Sequence, residues 1–160
     1  MIEEILPQLY RIEVPLPGNP LKAINSYVIK TETRNLIIDT GFNQKECRDV
    51  LDAGIAELGI DLNKTDFFAT HLHGDHFGLI PMLASENSKA YMGVFDAKLV
   101  EGNSSWNNML KNGTVSGFPV EQLETAITNH PGRKHAPDKD MKLTHVEDGD
   151  VIEIGDFVLT

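Results

Sequence analysis

The sequence predicts an α/β domain in which helices pack on a sheet, and three consecutive segments indicate it. Residues 35–39 form a short apolar run, which is typical of a strand covered on both faces. Apolar residues then recur every three or four positions across residues 47–58, the pattern of an amphipathic helix closed by Gly59. Residues 65–70 are again strand-like. Alternation of strand, helix and strand predicts a layered α/β architecture.

The flanking elements extend this pattern. Ahead of the three segments lie strand-like runs separated by a turn, and after them come a short helix and further strands. Their ranges are 9–14 and 23–30 for the first strands, 78–84 for the short helix, and 89–92, 142–146, 151–154 and 157–160 for the later strands. We predict one domain over residues 1–160.

A helical stretch interrupts that domain at about residues 95–137. One amphipathic helix is predicted around Trp106, and a second carries Val120, Leu123 and Ile127, with Pro119 suited to its first turn. We predict that this stretch is a helical cap insertion that lies over the sheet.

Composition excludes some classes of function. The net charge of −10 disfavours nucleic acids and anionic membranes as partners, because both bind through lysine and arginine. No apolar run approaches the ~20 residues of a membrane span, and the acidic N-terminus does not resemble a signal peptide. The single cysteine, Cys47, fits a reducing compartment and lies on the apolar stripe of the predicted helix. We therefore expect a cytoplasmic protein with a small-molecule substrate and a buried, unreactive Cys47.

The chemistry is predicted by the segment His71-Leu72-His73-Gly74-Asp75-His76, in which four of six positions are potential metal ligands. Imidazole and carboxylate suit zinc and related divalent metals. His71 and His73, two apart at a strand end, project to the same side, and Gly74 allows a sharp turn. One loop can thus offer two ligands to each of two metals. We interpret the isolated His130, His135 and His145 as surface or packing residues.

The segment Thr70-His71-Leu72-His73-Gly74-Asp75-His76-Phe77-Gly78 resembles the T-H-x-H-x-D-H-x-G signature of the metallo-β-lactamase superfamily. The run Leu36-Ile37-Ile38-Asp39-Thr40-Gly41 is similar to a second landmark of that family, a strand that ends in an aspartate beside the metals. The resemblance covers about the first hundred residues and the final hairpin. It implies a four-layer αββα sandwich with a dinuclear metal site at one edge.

The resemblance also implies roles for individual residues. His71 and His73 would bind the first metal, and Asp75 and His76 the second. Asp39 would orient a ligand histidine by accepting its free ring N–H, or else it serves as a helix or turn cap. The cofactors are expected to be two divalent ions, zinc first, with iron or manganese as alternatives.

The activity so implied is hydrolysis of a small ester, thioester or lactone through metal-bound hydroxide, with Asp75 as the catalytic residue that holds the nucleophile and passes a proton. The helical stretch resembles the cap of the glyoxalase-II-like branch. Trp106 and Phe118 are candidates for lining its substrate pocket, although packing within the cap explains them equally well. An exported β-lactamase is disfavoured by the absence of a signal peptide.

Three alternatives stay open. A di-iron redox protein of the same fold would have a carboxylate where this chain has His73, so three nitrogen ligands favour zinc chemistry. A nuclease of the superfamily is disfavoured by the charge. A non-catalytic binding module is the remaining alternative.

The ligand set indicates an incomplete site. A catalytic zinc takes three protein ligands, whereas two are predicted here for each metal, and the later ligand motifs of the family are missing. Residues 157–160 resemble the strand that leads into the family's third histidine. We expect a truncated form of a longer enzyme that turns over little by itself. A sheet face left uncovered would be covered in a homodimer.

Overall fold

Among the described residues, seven strands form one mixed sheet in the order β1 to β7, and a separate hairpin contains β8 and β9. The computed structural model describes residues 2–101, 104–130 and 141–160, without the side chains of residues 104 and 105. The strands are β1 (Ile2–Leu6), β2 (Leu9–Pro15), β3 (Ala23–Ile29), β4 (Asn35–Ile38), β5 (Thr65–Ala69), β6 (Ala90–Gly93), β7 (Thr144–Val146), β8 (Ile152–Ile154) and β9 (Phe157–Leu159).

The first four strands are antiparallel, and β4, β5, β6 and β7 are parallel to one another. In β2 the side chains of Ile12 and Val14 are buried while Glu13 between them is exposed, the alternation of a sheet with one face on the core. In β4, by contrast, Asn35, Leu36 and Ile37 are all buried. A run buried on both faces is typical of the parallel part of a sheet.

The described residues form six α-helices, of which the first four contribute buried side chains to the core on one face of the sheet. They are α1 (Lys45–Leu58), α2 (Gly74–Phe77), α3 (Ile80–Leu83), α4 (Val94–Glu101), α5 (Ser104–Val115) and α6 (Val120–Asn129), with a 3-10 turn at Leu62–Lys64. The predicted stripe of α1 buries Cys47, Leu51 and Ile55 against β2, and Gly59 ends the helix with φ 64°. A left-handed residue at that position favours glycine. Burial raises the pKa of the Cys47 thiol, which agrees with its predicted inert role.

The β8–β9 hairpin packs on the opposite face of the sheet. Ile152 and Ile154 form a second apolar cluster with Leu36 and Tyr91. Leu36 is fully buried there, so the hairpin covers part of the face that the sequence led us to expect uncovered. Phe68 and neighbouring side chains on this face are only partly buried. A homodimer through it stays a prediction.

Three elements differ from the expectation, and one of them is the short helix α2, which lies ahead of the helix predicted at 78–84. The edge strand β1 and the helix α4 were not predicted as separate elements, whereas the other strands and helices lie close to their predicted ranges. The expected cap at 95–137 contains most of α4 and all of α5 and α6, and its residues 102–103 and 131–137 lie outside the described ones. Within the described ranges, no helix has the length and apolar character to cross a membrane.

A buried ion pair joins the strands at the edge where β4 and β5 begin. Asp66 is 3% exposed and accepts hydrogen bonds from the Arg34 guanidinium and from the Lys89 backbone N–H, the latter at 2.8 Å. The bond to Asp66 raises the pKa of Arg34. This carboxylate therefore links the loops ahead of β4 and β6 to β5.

We expect Asp66→Ala to lower the free energy of unfolding by about 2 kcal/mol, because a buried N–H and a guanidinium lose their acceptor. The guanidinium is 30% exposed, so water replaces part of the loss. Urea unfolding followed by circular dichroism measures the change. Glu3→Ala is the matched control, since Glu3 binds Arg11 at the surface and should contribute less than about 1 kcal/mol. Equal losses from both variants would contradict the prediction.

Candidate functional site

The carboxyl ends of three parallel strands meet at one edge of the sheet. Asp39 directly follows β4, Thr70 and His71 follow β5, and α4 follows β6. In open α/β sheets this edge is where ligands bind, because loops and helix N-termini converge there. The residues predicted to carry the chemistry lie on this edge.

The histidines of the predicted motif lie together. The ring centroids of His71 and His73 are 4.6 Å apart, and those of His71 and His76 are 4.0 Å apart. The atoms His71 Nε2 and His73 Nδ1 are separated by 3.0 Å, and His76 Nε2 lies 3.7 Å from an Asp75 carboxylate oxygen. Burial, followed by the positive charge on His76 and His73, lowers the pKa of His71. Neutral imidazole, the form that binds metals, is thereby favoured at His71.

Asp39 holds this loop from the side of β4. Its carboxylate accepts the Thr70 backbone N–H at 2.9 Å, the Thr70 hydroxyl at 2.8 Å and the His76 Nδ1–H at 2.7 Å. Burial alone would raise the pKa of Asp39, but the bonds from His76 and Thr70 outweigh it and the pKa is lowered. In His76, burial lowers the pKa and the bond to Asp39 raises it, with a net rise. With Nδ1 bonded to Asp39, the other ring nitrogen, Nε2, lies on the side of Asp75.

The backbone at Asp39 has φ 57°, in the left-handed region that non-glycine residues seldom adopt. Aspartate is among the few side chains that tolerate it. The partners of its carboxylate are 31 and 37 residues away in sequence, so these are tertiary contacts rather than a local turn cap. A role of Asp39 toward a metal stays a prediction.

Backbone hydrogen bonds fix α2 against the loop after β4. The N–H groups of Thr40 and Gly41 donate to the carbonyls of His76 and Asp75, each at 2.9 Å. The Thr40 hydroxyl also donates to the His76 carbonyl, at 3.0 Å, and accepts the Leu79 N–H. The short helix that carries two of the predicted ligands is therefore held by the loop that follows β4 and contains Asp39.

The distances between the donor atoms bear on metal binding. Among the described residues, no group of three or more histidine, cysteine, aspartate or glutamate side chains is arranged to hold one metal ion. Two nitrogens bound to one zinc at about 2.05 Å lie roughly 3.3 Å apart in tetrahedral geometry. The 3.0 Å between His71 and His73 is close to that value. The donor types, imidazole and carboxylate, fit divalent metal ions, and the division of the ligands between two ions stays a prediction.

The other predicted residues lie in the helical stretch or beyond it. The Trp106 ring packs on His130 with centroids 5.0 Å apart, and Phe118 is 60% exposed. A substrate-lining role for Trp106 and Phe118 stays a prediction. His145 Nε2 bonds the Glu101 carboxylate at 2.9 Å, and that bond lowers the pKa of Glu101. His135 lies outside the described residues.

One residue at this edge was not predicted from the sequence. The Asp96 carboxylate accepts the backbone N–H of Leu72, the residue between His71 and His73, at 3.0 Å. Asp96 lies in the first turn of α4, 24 residues away from Leu72 along the chain. A single acidic residue at such a distance gives no local signal, and only the pairing of β5 with β6 brings it here.

Comparison with known proteins decides the family. The sequence profile described as Metallo-beta-lactamase superfamily matches residues 19–112, which include Asp39, the whole histidine motif and Asp96. The chain belongs to this superfamily. The match covers more than half of the chain, and the mixed sheet flanked by helices agrees with the fold that the resemblance implied.

Individual relatives support the same conclusion. The chain is 31% identical over 158 residues to an atrochrysone carboxyl ACP thioesterase from Emericella nidulans, covering 99% of this chain and 47% of that protein. It is 29% identical to the lactamase-like protein ptaB from Pestalotiopsis fici, with 99% and 47% coverage. A crystal structure of a metallo-beta-lactamase family protein from Thermus thermophilus superposes with a TM-score of 0.73 at 23% identity, covering 97% of this chain and 51% of that one. The chain thus spans about half the length of the relatives it matches.

Proposed function

We propose that these residues belong to a metal-dependent thioester hydrolase of the metallo-beta-lactamase superfamily. The observation that carries the proposal is the convergence of three imidazoles and two carboxylates at the carboxyl edge of the sheet. Such a group of polar side chains beside a core is costly unless something binds it. Relatives named as thioesterases support the reaction class.

The proposed metal ligands are His71 and His73 for one ion and Asp75 and His76 for the other. Zinc is the first choice for these nitrogen-rich donors, with iron or manganese as alternatives. Bound divalent ions would supply an activated water at neutral pH and polarise the carbonyl of the substrate. Since a catalytic zinc takes about three protein ligands, each ion needs further donors from outside this cluster.

The chain's own residues have distinct parts in this proposal. Asp39 holds the His76 ring by accepting its Nδ1–H, which leaves Nε2 to bind. Asp75 is 14% exposed, so its carboxylate reaches the site while staying partly shielded from water. We assign Asp75 the transfer of a proton from the nucleophilic water to the leaving thiolate. The water oxygen forms a bond to the carbonyl carbon, the C–S bond breaks, and the departing sulfur takes the proton from Asp75, so the products are a carboxylic acid and a thiol.

Among esters, thioesters and lactones, the three substrate classes expected from the sequence, we propose an acyl thioester. The names of the relatives specify a thioester on an acyl carrier protein. We propose that the substrate here is likewise an acyl group bound as a thioester to an acyl carrier protein. We propose that the helices α4, α5 and α6 form a cap near the site, with Trp106 and Phe118 in contact with the acyl group. A thiolate leaves more readily than an alkoxide, so less help from an acid is needed for thioesters than for esters.

The test combines metal analysis with turnover of a small acyl thioester by the natural protein. We expect zinc bound at up to two per chain, loss of hydrolysis after chelation, and recovery when zinc is returned. The His71→Ala/His73→Ala double variant should lose at least one zinc and most of the activity. Lys45→Ala is the control, because Lys45 is an exposed residue of α1 that pairs with Asp49 and not with the cluster. Full turnover by metal-free protein would contradict the proposal.

A further inference from the structure

The loop that carries His71 and His73 is held by two carboxylates from opposite neighbours in the sheet. Asp39, after β4, accepts the N–H of Thr70 at 2.9 Å. Asp96, after β6, accepts the N–H of Leu72 at 3.0 Å. These two donors directly flank His71 in the chain. The backbone around the first proposed ligand is therefore fixed on both sides.

Asp96 is itself well anchored. It lies in α4 next to Ala97, which is fully buried, and α4 follows directly on β6, the strand paired with β5. At the other end of α4 the Glu101 carboxylate accepts the Leu143 N–H at 3.2 Å and binds His145. A helix tied at both ends presents the Asp96 oxygen at a fixed place. The N–H of Leu72 thus meets a rigid acceptor.

We propose that Asp96 is a positioning residue for the site, which acts by holding the Leu72 peptide so that His71 and His73 present their ring nitrogens together. The bond has an ordinary length of 3.0 Å, and either a carboxylate or an amide oxygen can accept it. Groups that orient metal ligands typically change metal affinity by about 10- to 100-fold when they are removed. The consequence for the metal rests on the proposed function, whereas the loop geometry does not.

The experiment compares wild type with Asp96→Ala, Asp96→Asn and Lys98→Ala in the natural protein. Lys98 is an exposed residue of the same helix and serves as the matched control. Zinc affinity is measured by competition with a chromophoric chelator. In the metal-free protein, hydrogen exchange of the Leu72 amide and the ring NMR signals of His71 and His73 are recorded.

We expect Asp96→Ala to weaken zinc binding about 10-fold or more. Asp96→Asn, whose amide oxygen can accept the same N–H, should stay within about threefold of wild type, and Lys98→Ala should match wild type. The Leu72 amide should exchange faster in Asp96→Ala alone. If that variant does not fold, Asp96→Glu replaces it, since the longer side chain keeps the charge but displaces the acceptor, and the same direction of change is expected.

Two results would overturn the proposal. The first is that Asp96→Ala binds zinc as tightly as wild type. The second is that Asp96→Asn binds zinc as weakly as Asp96→Ala, which would exclude the hydrogen bond to Leu72 as the cause of the weaker binding. Wild type that binds no zinc would refute the proposed function instead. In that case the positioning role of Asp96 is tested in the metal-free protein alone. If the ring NMR signals of His71 and His73 are the same in Asp96→Ala as in wild type, that role is refuted.

Discussion

Asp75→Asn is expected to lower kcat for thioester hydrolysis by about 10²- to 10⁴-fold, the usual contribution of a general acid–base group. The amide has nearly the same size as the carboxylate, so the fold should be kept. The amide has no negative charge to stabilise positive charge on the neighbouring imidazoles, and it cannot accept a proton from water. Steady-state kinetics with a small acyl thioester measures the loss, and elemental analysis reports the metal retained.

Asp49→Asn is the control for this change, because Asp49 is an exposed residue of α1 that pairs with Lys45 on the same helix. It should leave kcat within experimental error. An Asp75→Asn variant with turnover within threefold of wild type would refute the catalytic assignment. If kcat falls only in proportion to lost metal, Asp75 is a ligand and not a proton carrier.

Gly78→Ala is expected to destabilise the protein by about 3 kcal/mol or more, a lowering of the melting temperature by roughly 10 °C. The backbone at Gly78 is helical, so its dihedral angles suit alanine. An added Cβ would, however, meet the Gly74 and Gly41 carbonyl oxygens and the Asn43 nitrogen, which are all backbone atoms. Neither the loop after β4 nor α2 can yield without separating Asp39 from His76. Thermal unfolding by circular dichroism measures the effect.

Gly54→Ala is the matched control in α1. A Cβ there would lie 2.6 Å from Ile12 Cδ1 and 3.2 Å from Ile12 Cγ1, which are atoms of one side chain, so the contact can be relieved without moving the backbone. Alanine also favours helix over glycine by about 1 kcal/mol, which offsets part of the crowding. We expect a change within about 1 kcal/mol. A Gly78→Ala variant as stable as Gly54→Ala would show that the backbone contacts at Gly78 relax easily.

Local patterns were sufficient to predict most of the fold. The stripe of α1 and the apolar run of β4 depend on residues close in sequence, and both lie where they were expected. The edge strand β1 was missed because its glutamates and mostly exposed side chains show no buried face. The helix α4 was missed because its apolar residues are spread around its axis rather than gathered in a stripe.

The site was predictable only in part, for a related reason. The spacing of His71, His73, Asp75 and His76 is local and chemically specific, so the motif could be recognised from the chain alone. The partners that orient it are distant in sequence. Asp39 was predicted only from the family resemblance. Asp96 could not be predicted from the sequence, because its contact with Leu72 depends on how β5 and β6 align.

The parallel arrangement of β4, β5 and β6 also bears on when the site forms during folding. Asp39, the histidine loop and Asp96 come from three separate stretches of the chain. Parallel strands are joined by long connections, so the entropy of closing these loops is lost before the contacts between the strands can form. The histidine loop therefore acquires its shape only after all three strands have aligned. Binding of metal by the proposed ligands would then mark the end of folding rather than its nucleation.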